Sequence, residues 1–415
     1  MHITSGSVPR IAVMAAAGFA VAMGLGRFAF TPILPLMIEQ ADLSSATGAH
    51  LATANYLGYL VGPVLTLFLP RLVSSRLLYR ASLVVIVVSL LGMSLTTSEF
   101  LWLVLRFLAG AASALMFVMI ASSAAYHCRA AARHVVGWIY GGIGVGIALS
   151  GILILALGAG GSWQHAWWVV ALTSLILAVP AWFLPLHPAT QRTPAAVSGK
   201  RNRQSEQQQG PRQGQQGRVR SRLVPGFSPL VVSYFLEGVG YIIAGTFLVT
   251  AVAANSPVWV GNSTWILVGL AAAPSSALYG ALSHRISAPT LLASALALQA
   301  VGMALPAVLP GALPALIAGA CFGATFQGIT TLTMTIGTTS GVPHAVSILT
   351  IMFSIGQVVG PLLAAPLLTS GYSAALLLGA AIVACAAATA VLTRLRTPAT
   401  QSTAHPTRHA LNSTS

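Results

Sequence analysis

Residues 23–32 read MGLGRFAFTP, which sets a lone arginine, Arg27, between Gly26 and Phe28 near the end of an apolar run that begins at Ile11. A charge within a membrane-spanning segment costs at least about 2.5–3.5 kcal/mol on insertion scales. Either this run does not cross a membrane, or Arg27 serves a purpose that outweighs the cost. The rest of the chain decides between these.

Of the 415 residues, 56% are hydrophobic and 6% charged, and the mean hydropathy is +0.83. Soluble domains carry roughly a quarter charged residues, so a soluble globular fold is excluded. Polar, Gly/Pro and charge punctuation divides the chain into twelve apolar segments at 11–37, 47–69, 77–97, 100–126, 134–157, 164–186, 227–254, 260–283, 289–310, 312–340, 344–368 and 372–396. Each is long enough to cross a hydrocarbon core as a helix and too uniformly apolar for the alternating strands of a barrel. The expected fold is an all-α membrane protein of twelve transmembrane helices in two pseudo-symmetric six-helix bundles. Its expected divisions are 1–186, a basic linker at 187–224, 225–396 and a polar tail at 397–415. The start of the chain reads as the first span and not as a removed signal peptide, because no small-residue cleavage site follows it.

The net charge of +15 would suit nucleic acid, but its distribution points elsewhere. Only Arg27 and Arg106 lie well inside a span. The other basic residues fall at Arg10, Arg71, Arg76, Arg80, Arg129 and Arg133, at eight positions from Arg192 to Arg222, and at Arg285, Arg394, Arg396 and Arg408. These sites are the termini and the even-numbered connections, whereas Glu39, Asp42 and Glu99 occupy odd ones. By the positive-inside rule both termini are expected in the cytoplasm, and the basic excess becomes a topology signal with no nucleic-acid partner. The linker, rich in Gln, Gly and Arg, lacks the apolar residues needed to bury a core. Cys128, Cys321 and Cys385 are unclustered, and His127, His134, His284 and His344 lack ligand spacing, so no metal or disulfide framework is indicated.

An internal repeat relates the halves. Gly24-Leu-Gly26 matches Gly238-Val-Gly240, Leu108–Ala111 matches Ile317–Ala320, and Ile143-Gly144 matches Ile355-Gly356. All three offsets lie near about 210 residues, in the same order along the chain. The expected consequence is a central cavity between two related bundles.

Twelve spans with a long central basic loop resemble the major facilitator superfamily. Arg106-x-x-x-Gly110 is similar to that family's fourth-span arginine motif, and Gly280-Ala-Leu-Ser-His284-Arg285 to its Gly-x-x-x-Asp-Arg loop motif, with His284 in place of the acid. The first-half copy near Arg71 and Arg76 lacks both the acid and the leading glycine, and the glycine-rich fifth span lacks the proline of the antiporter motif. The stretches GLGRFAFTPILPLM, ANYLGYLVG, YFLEGVGYIIAGTFLV and IGQVVGPLLA resemble the YbfB/YjiJ-type branch of bacterial transporters. That resemblance implies a monomeric secondary transporter of the bacterial inner membrane. The resemblance supplies the fold and not the cargo. The residues add the expectation of alternating access on a small organic solute with no cofactor, coupled to protons through the one acid within a span. Both anion uptake and efflux of drug-like compounds stay open. The competing class is a non-transporting sensor or scaffold that kept the fold, although retained membrane charges argue against it.

Glu237 is the only acid within a span, directly before the glycine pair that matches Gly24 and Gly26. Pseudo-symmetry is expected to set Arg27 and Glu237 facing each other across the cavity, either as a coupling and binding pair or as a permanent ion pair that locks the halves. Arg106, Asn55, Tyr56, Tyr59, Tyr140, Tyr241, Gln327 and Gln357 complete the candidate polar and aromatic site. Pro32, Gly280, His284 and Arg285 are the candidate gating residues, with Pro35, Pro63, Pro274 and Pro361 as further helix kinks. The run Gly141–Gly146 superficially matches a nucleotide loop, but it lies inside an apolar span with no preceding strand and reads as a helix-packing surface. Nothing resembles a nucleophile–base arrangement, so no enzyme is expected.

Overall fold

The computed structural model describes residues 7–128, 133–158, 160–186, 226–254 and 256–396. The expected linker at 187–224 and tail at 397–415 lie outside them. Among the described residues there are twelve helices long and apolar enough to cross a membrane. They are α1 (Val8–Gln40), α2 (Ser45–Phe68), α3 (Arg76–Ser94), α4 (Glu99–His127), α5 (Val135–Leu157), α6 (Trp163–Trp182), α7 (Phe227–Ala253), α8 (Trp259–Leu282), α9 (Ala288–Val308), α10 (Ala312–Thr339), α11 (Ala345–Thr369) and α12 (Tyr372–Thr393). The sequence-derived boundaries agree within four residues. The chain is a multi-pass membrane protein, and large apolar side chains such as Val88, Leu172, Ile176, Val179 and Phe183 stand on its outer surface, where lipid and not water is the compatible solvent.

Several helices start where a serine accepts from the first free backbone N–H groups. Ser44 Oγ accepts from Thr47 N, Ser75 Oγ from Leu78 N, and Ser162 Oγ from His165 N. Such caps satisfy donors that have no partner within the helix. The end of α1 is tied to the start of α6 by Gln40, whose Nε2 donates to Gly161 O and whose Oε1 accepts from Trp163 N. Pro35, Pro63, Pro274 and Pro361 all lie within helices.

Glycine sets how closely the helices approach. A Cβ at Gly24 of α1 would overlap the Gly146 backbone of α5, and one at Gly238 of α7 would overlap the Phe353 carbonyl of α11. The crossing of α1 on α5 thus has its counterpart in that of α7 on α11, as the repeat leads one to expect. The Gly141–Gly146 run is the packing surface anticipated from sequence: Gly142 faces the Ala16 carbonyl of α1, while Gly141 and Gly144 face Ala273 of α8. Extending to Gly137 against Ala277 and Gly151 against Ile266, the α5–α8 seam joins the first six helices to the last six along most of its length. Helix α2 also packs on α11, and α1 on α7. A Cβ at Gly110 of α4 would overlap the Asn55 carbonyl of α2. Because that clash is with backbone, Gly110→Val is expected to cost at least about 1–3 kcal/mol, read as a lower melting temperature in detergent or loss of the monodisperse peak.

Candidate functional site

The site is built on a break in α1. The chain is α-helical to Phe19, π-helical over Ala20–Leu25, and α-helical again from Phe30. Gly26 N donates to Val21 O at 2.8 Å and Phe28 N to Met23 O at 3.1 Å, both i→i−5 bonds that widen the turn. Two features of the sequence account for this. Gly24 and Gly26 tolerate irregular backbone and permit close packing, and Pro32 has no N–H to extend the first helix across the break. Pro32 falls in the first turn of the second segment, where free N–H groups occur in any case. π-Helical turns of this kind concentrate at functional sites. Sequence reasoning anticipated a kink near Pro32, and the structure places the irregularity two turns earlier, under the glycines.

Arg27 sits in the break and is buried, 2% exposed. Its Nη2 donates to Gln357 Oε1 of α11 at 2.5 Å. Its guanidinium carbon lies 3.9 Å from the Tyr59 ring centroid, 4.9 Å from that of Tyr56 and 5.3 Å from that of Phe28. These rings supply cation–π attraction, worth more in a desolvated site than at a surface. Because an arginine only donates, Gln357 must turn its oxygen to Arg27 and its amide nitrogen away, and that nitrogen donates to Tyr241 Oη at 3.2 Å. Tyr241 in turn stacks near-parallel on Phe326, Phe353 and Phe322, with centroids 5.3, 5.5 and 6.0 Å away. Replacing Tyr241 with Phe is expected to keep the stack but leave a buried Gln357 N–H unpaired, costing about 1–3 kcal/mol, measurable as a fall in melting temperature.

Arg106 of α4 supports the break from behind. It is 1% exposed, its Nη2 donates to the Arg27 carbonyl at 3.3 Å, and its guanidinium carbon lies 4.5 Å from the Phe30 ring centroid. That carbonyl is available because Thr31 N bonds to Phe28 O and not to residue 27. Asn55 of α2 then donates to the Arg106 carbonyl at 2.9 Å. Tyr56 Oη shares a hydrogen bond with Thr246 Oγ1 at 2.8 Å, and Thr31 Oγ1 donates to Gly245 O at 2.5 Å. Together with Ser45 Oγ to Tyr372 Oη at 2.7 Å, these contacts join the two halves on the side of the membrane where α1 ends.

Toward the opposite side, where α1 begins, Tyr140 stacks on Phe19 at 5.0 Å and meets Phe117 edge-on at 6.1 Å, while Phe117 meets Tyr59 at 6.5 Å. Tyr140 is therefore part of an aromatic layer beneath the arginine and makes no direct contact with it. Gln327 is buried beside Phe326, and its Nε2 has no hydrogen-bond partner.

Glu237 does not pair with Arg27. Neither Arg27 nor Arg106 has a carboxylate partner among the described residues, so the permanent ion pair weighed from sequence is not formed. Glu237 is 2% exposed and meets Gln299 of α9, a residue that sequence reasoning passed over. Glu237 Oε2 and both polar atoms of the Gln299 side chain are buried without a hydrogen-bond partner. The break in α1 delivers Arg27 to Gln357 of α11, whereas α7 is unbroken and leaves Glu237 beside Gln299 of α9. Tyr241, one turn on from Glu237, reaches the Arg27 site through Gln357. A lone amide within an apolar span was the available signal for Gln299.

The candidate gate residues divide. Pro32 is buried at the break. Gly280, His284 and Arg285 lie at the end of α8, where a Cβ on Gly280 would meet nothing within 4 Å and His284 and Arg285 are exposed. Among the described residues they make no ion pair, so the structure does not bring this motif to the central site.

Twelve apolar helices surround a buried cationic and aromatic centre. The fold is that of solved major facilitator proteins. The chain is similar to the nucleoside transporter NupG, with a TM-score of 0.67, 12% identity, and 93% of this chain and 98% of that chain covered. It is similar also to a mutant form of NupG, with a TM-score of 0.69, 11% identity, and coverages of 93% and 99%. No curated protein matches it in sequence. The family model described as "Uncharacterised MFS-type transporter YbfB" matches residues 19–391, and the chain belongs to that family of transporters. It is not an enzyme.

Proposed function

We propose that this protein is a proton-coupled secondary transporter that carries a small organic solute by alternating access. Its six-helix units, 1–186 and 225–396, would rock about the α5–α8 seam with both termini in the cytoplasm of a bacterial cell. The observation that carries the reading is the state of the two arginines. Burying an unpaired charge costs several kcal/mol, and a scaffold would gain stability by losing it. Arg27 also retains donors at Nε and Nη1 with no hydrogen-bond partner, as a group that engages a passing molecule would. Glu237 supplies the coupling site. A carboxyl in a low-dielectric pocket beside an amide can be neutral or ionised according to its access to water, so exposure to alternate sides of the membrane would load and unload a proton.

The test is reconstitution in liposomes that contain a pH-sensitive dye, with a solute panel applied outside. The expected result is solute-dependent proton flux that saturates with concentration. Proteoliposomes that hold correctly folded protein and give neither solute flux nor proton flux across a broad panel would overturn the reading.

A further inference from the structure

The central site contains more positive charge than its own residues neutralise. Arg27 and Arg106 are linked through the Arg27 carbonyl, both are at least 98% buried, and their neighbours Tyr56, Tyr59, Phe28, Phe30, Asn55 and Gln357 are all neutral groups. The one acid in a span, Glu237, is turned to Gln299. Three guanidinium donors, Arg27 Nε, Arg27 Nη1 and Arg106 Nε, are buried without an acceptor. In a low-dielectric interior the Coulomb attraction of such a centre for an anion is many times its value in water. A cation would be repelled, and a neutral solute would leave the charge uncompensated. Charge-assisted hydrogen bonds from a guanidinium to a carboxylate are also the strong ones.

The surrounding surfaces specify the rest of the molecule. Tyr241, Phe322 and Phe326 form a ladder with interplanar angles of 5–17°, and Phe28 of α1 presents its edge to Phe326 at 5.8 Å. A flat apolar body lies well on such faces. We propose, resting on the transport reading above, that the cargo is a small aromatic carboxylate, its carboxylate held by Arg27 and its ring by the Tyr241–Phe322–Phe326 wall.

The test uses purified full-length protein and its intrinsic tryptophan fluorescence, with melting temperature followed against ligand concentration. The probes are benzoate and 1-naphthoate, with benzamide as the neutral match, benzylamine as the cationic match and cyclohexanecarboxylate as the non-planar anion. Saturable stabilisation by the aromatic carboxylates is expected, with each control at least about tenfold weaker. Arg27→Lys, which keeps the charge but loses the fork, is expected to weaken benzoate by about tenfold, and Arg27→Gln to abolish its effect while the unliganded protein still melts cooperatively. Equal stabilisation by benzamide, none by either aromatic carboxylate, or benzoate binding unchanged in Arg27→Gln would overturn the assignment. Should either variant fail to fold, the wild-type comparison of benzoate with benzamide decides alone. The two readings fail separately: transport of a neutral solute independent of Arg27 removes this inference and leaves the transporter, whereas carboxylate binding without any flux removes the transport reading and leaves the anion site.

Discussion

Glu237→Gln is expected to separate solute movement from proton movement. Glutamine has the shape of the protonated acid and can still meet Gln299, so folding should change little, but it has no proton to release. With coupling intact, a one-unit pH gradient displaces the solute distribution by about tenfold per coupled proton. In the variant that displacement should collapse to roughly none, while exchange of labelled for unlabelled solute across the membrane persists. The same reconstituted vesicles report both quantities, and a pH gradient that still drives accumulation in the variant would remove Glu237 from the coupling role.

Arg27→Met should instead reduce movement of both kinds. Methionine fills much of the space beneath Tyr59 but cannot donate to Gln357, and a charge-assisted hydrogen bond is worth about 1.5–3 kcal/mol. Because methionine cannot donate to the solute either, transport at sub-saturating concentration is expected to fall by about 10- to 150-fold. Removal of a buried charge without a carboxylate partner offsets the lost Gln357 hydrogen bond, so the melting temperature is expected to change little. A variant with normal transport would show that Arg27 serves the architecture alone. The opposed pattern, stability held while transport falls, is what a residue retained for function and not for folding produces.

The fold was legible because hydropathy, span length and the placement of arginines depend on local composition, and a bilayer forgives little. The repeat was legible through glycines, since close backbone approach admits no other residue at Gly24, Gly146 and Gly238. Arg27, Arg106, Asn55, Tyr56, Tyr59, Tyr241 and Gln357 lie together for a related reason: polar groups deep in apolar spans must find one another. The expected Arg27–Glu237 juxtaposition did not follow. Equivalent positions on two related helices fix depth in the membrane, but the facing of a side chain depends on helix rotation. The π turns in α1 have no counterpart in α7, which runs unbroken from Phe227 to Ala253. Nothing in the hydrophobic pattern records that difference. Gln299 was missed because a single glutamine in an alanine- and leucine-rich span carries no periodicity.

The i→i−5 bonds at Gly26 and Phe28 have a mechanical meaning. A π turn stores one residue beyond the α-helical register, and returning it to regular α-helix rotates everything beyond by about 100° and advances it by about 1.5 Å. Such a step would swing Arg27 off Gln357 and past Tyr59 without bending the helix or parting Gly24 from Gly146. Deleting Ala22 is expected to remove the spare residue and hold the chain in its present register as unbroken α-helix, leaving twelve spans and no exchange; a deletion variant with normal exchange would dismiss the step. On this view α1 works as a one-notch ratchet, in which the arginine that interrupts the hydrophobic run is the pawl.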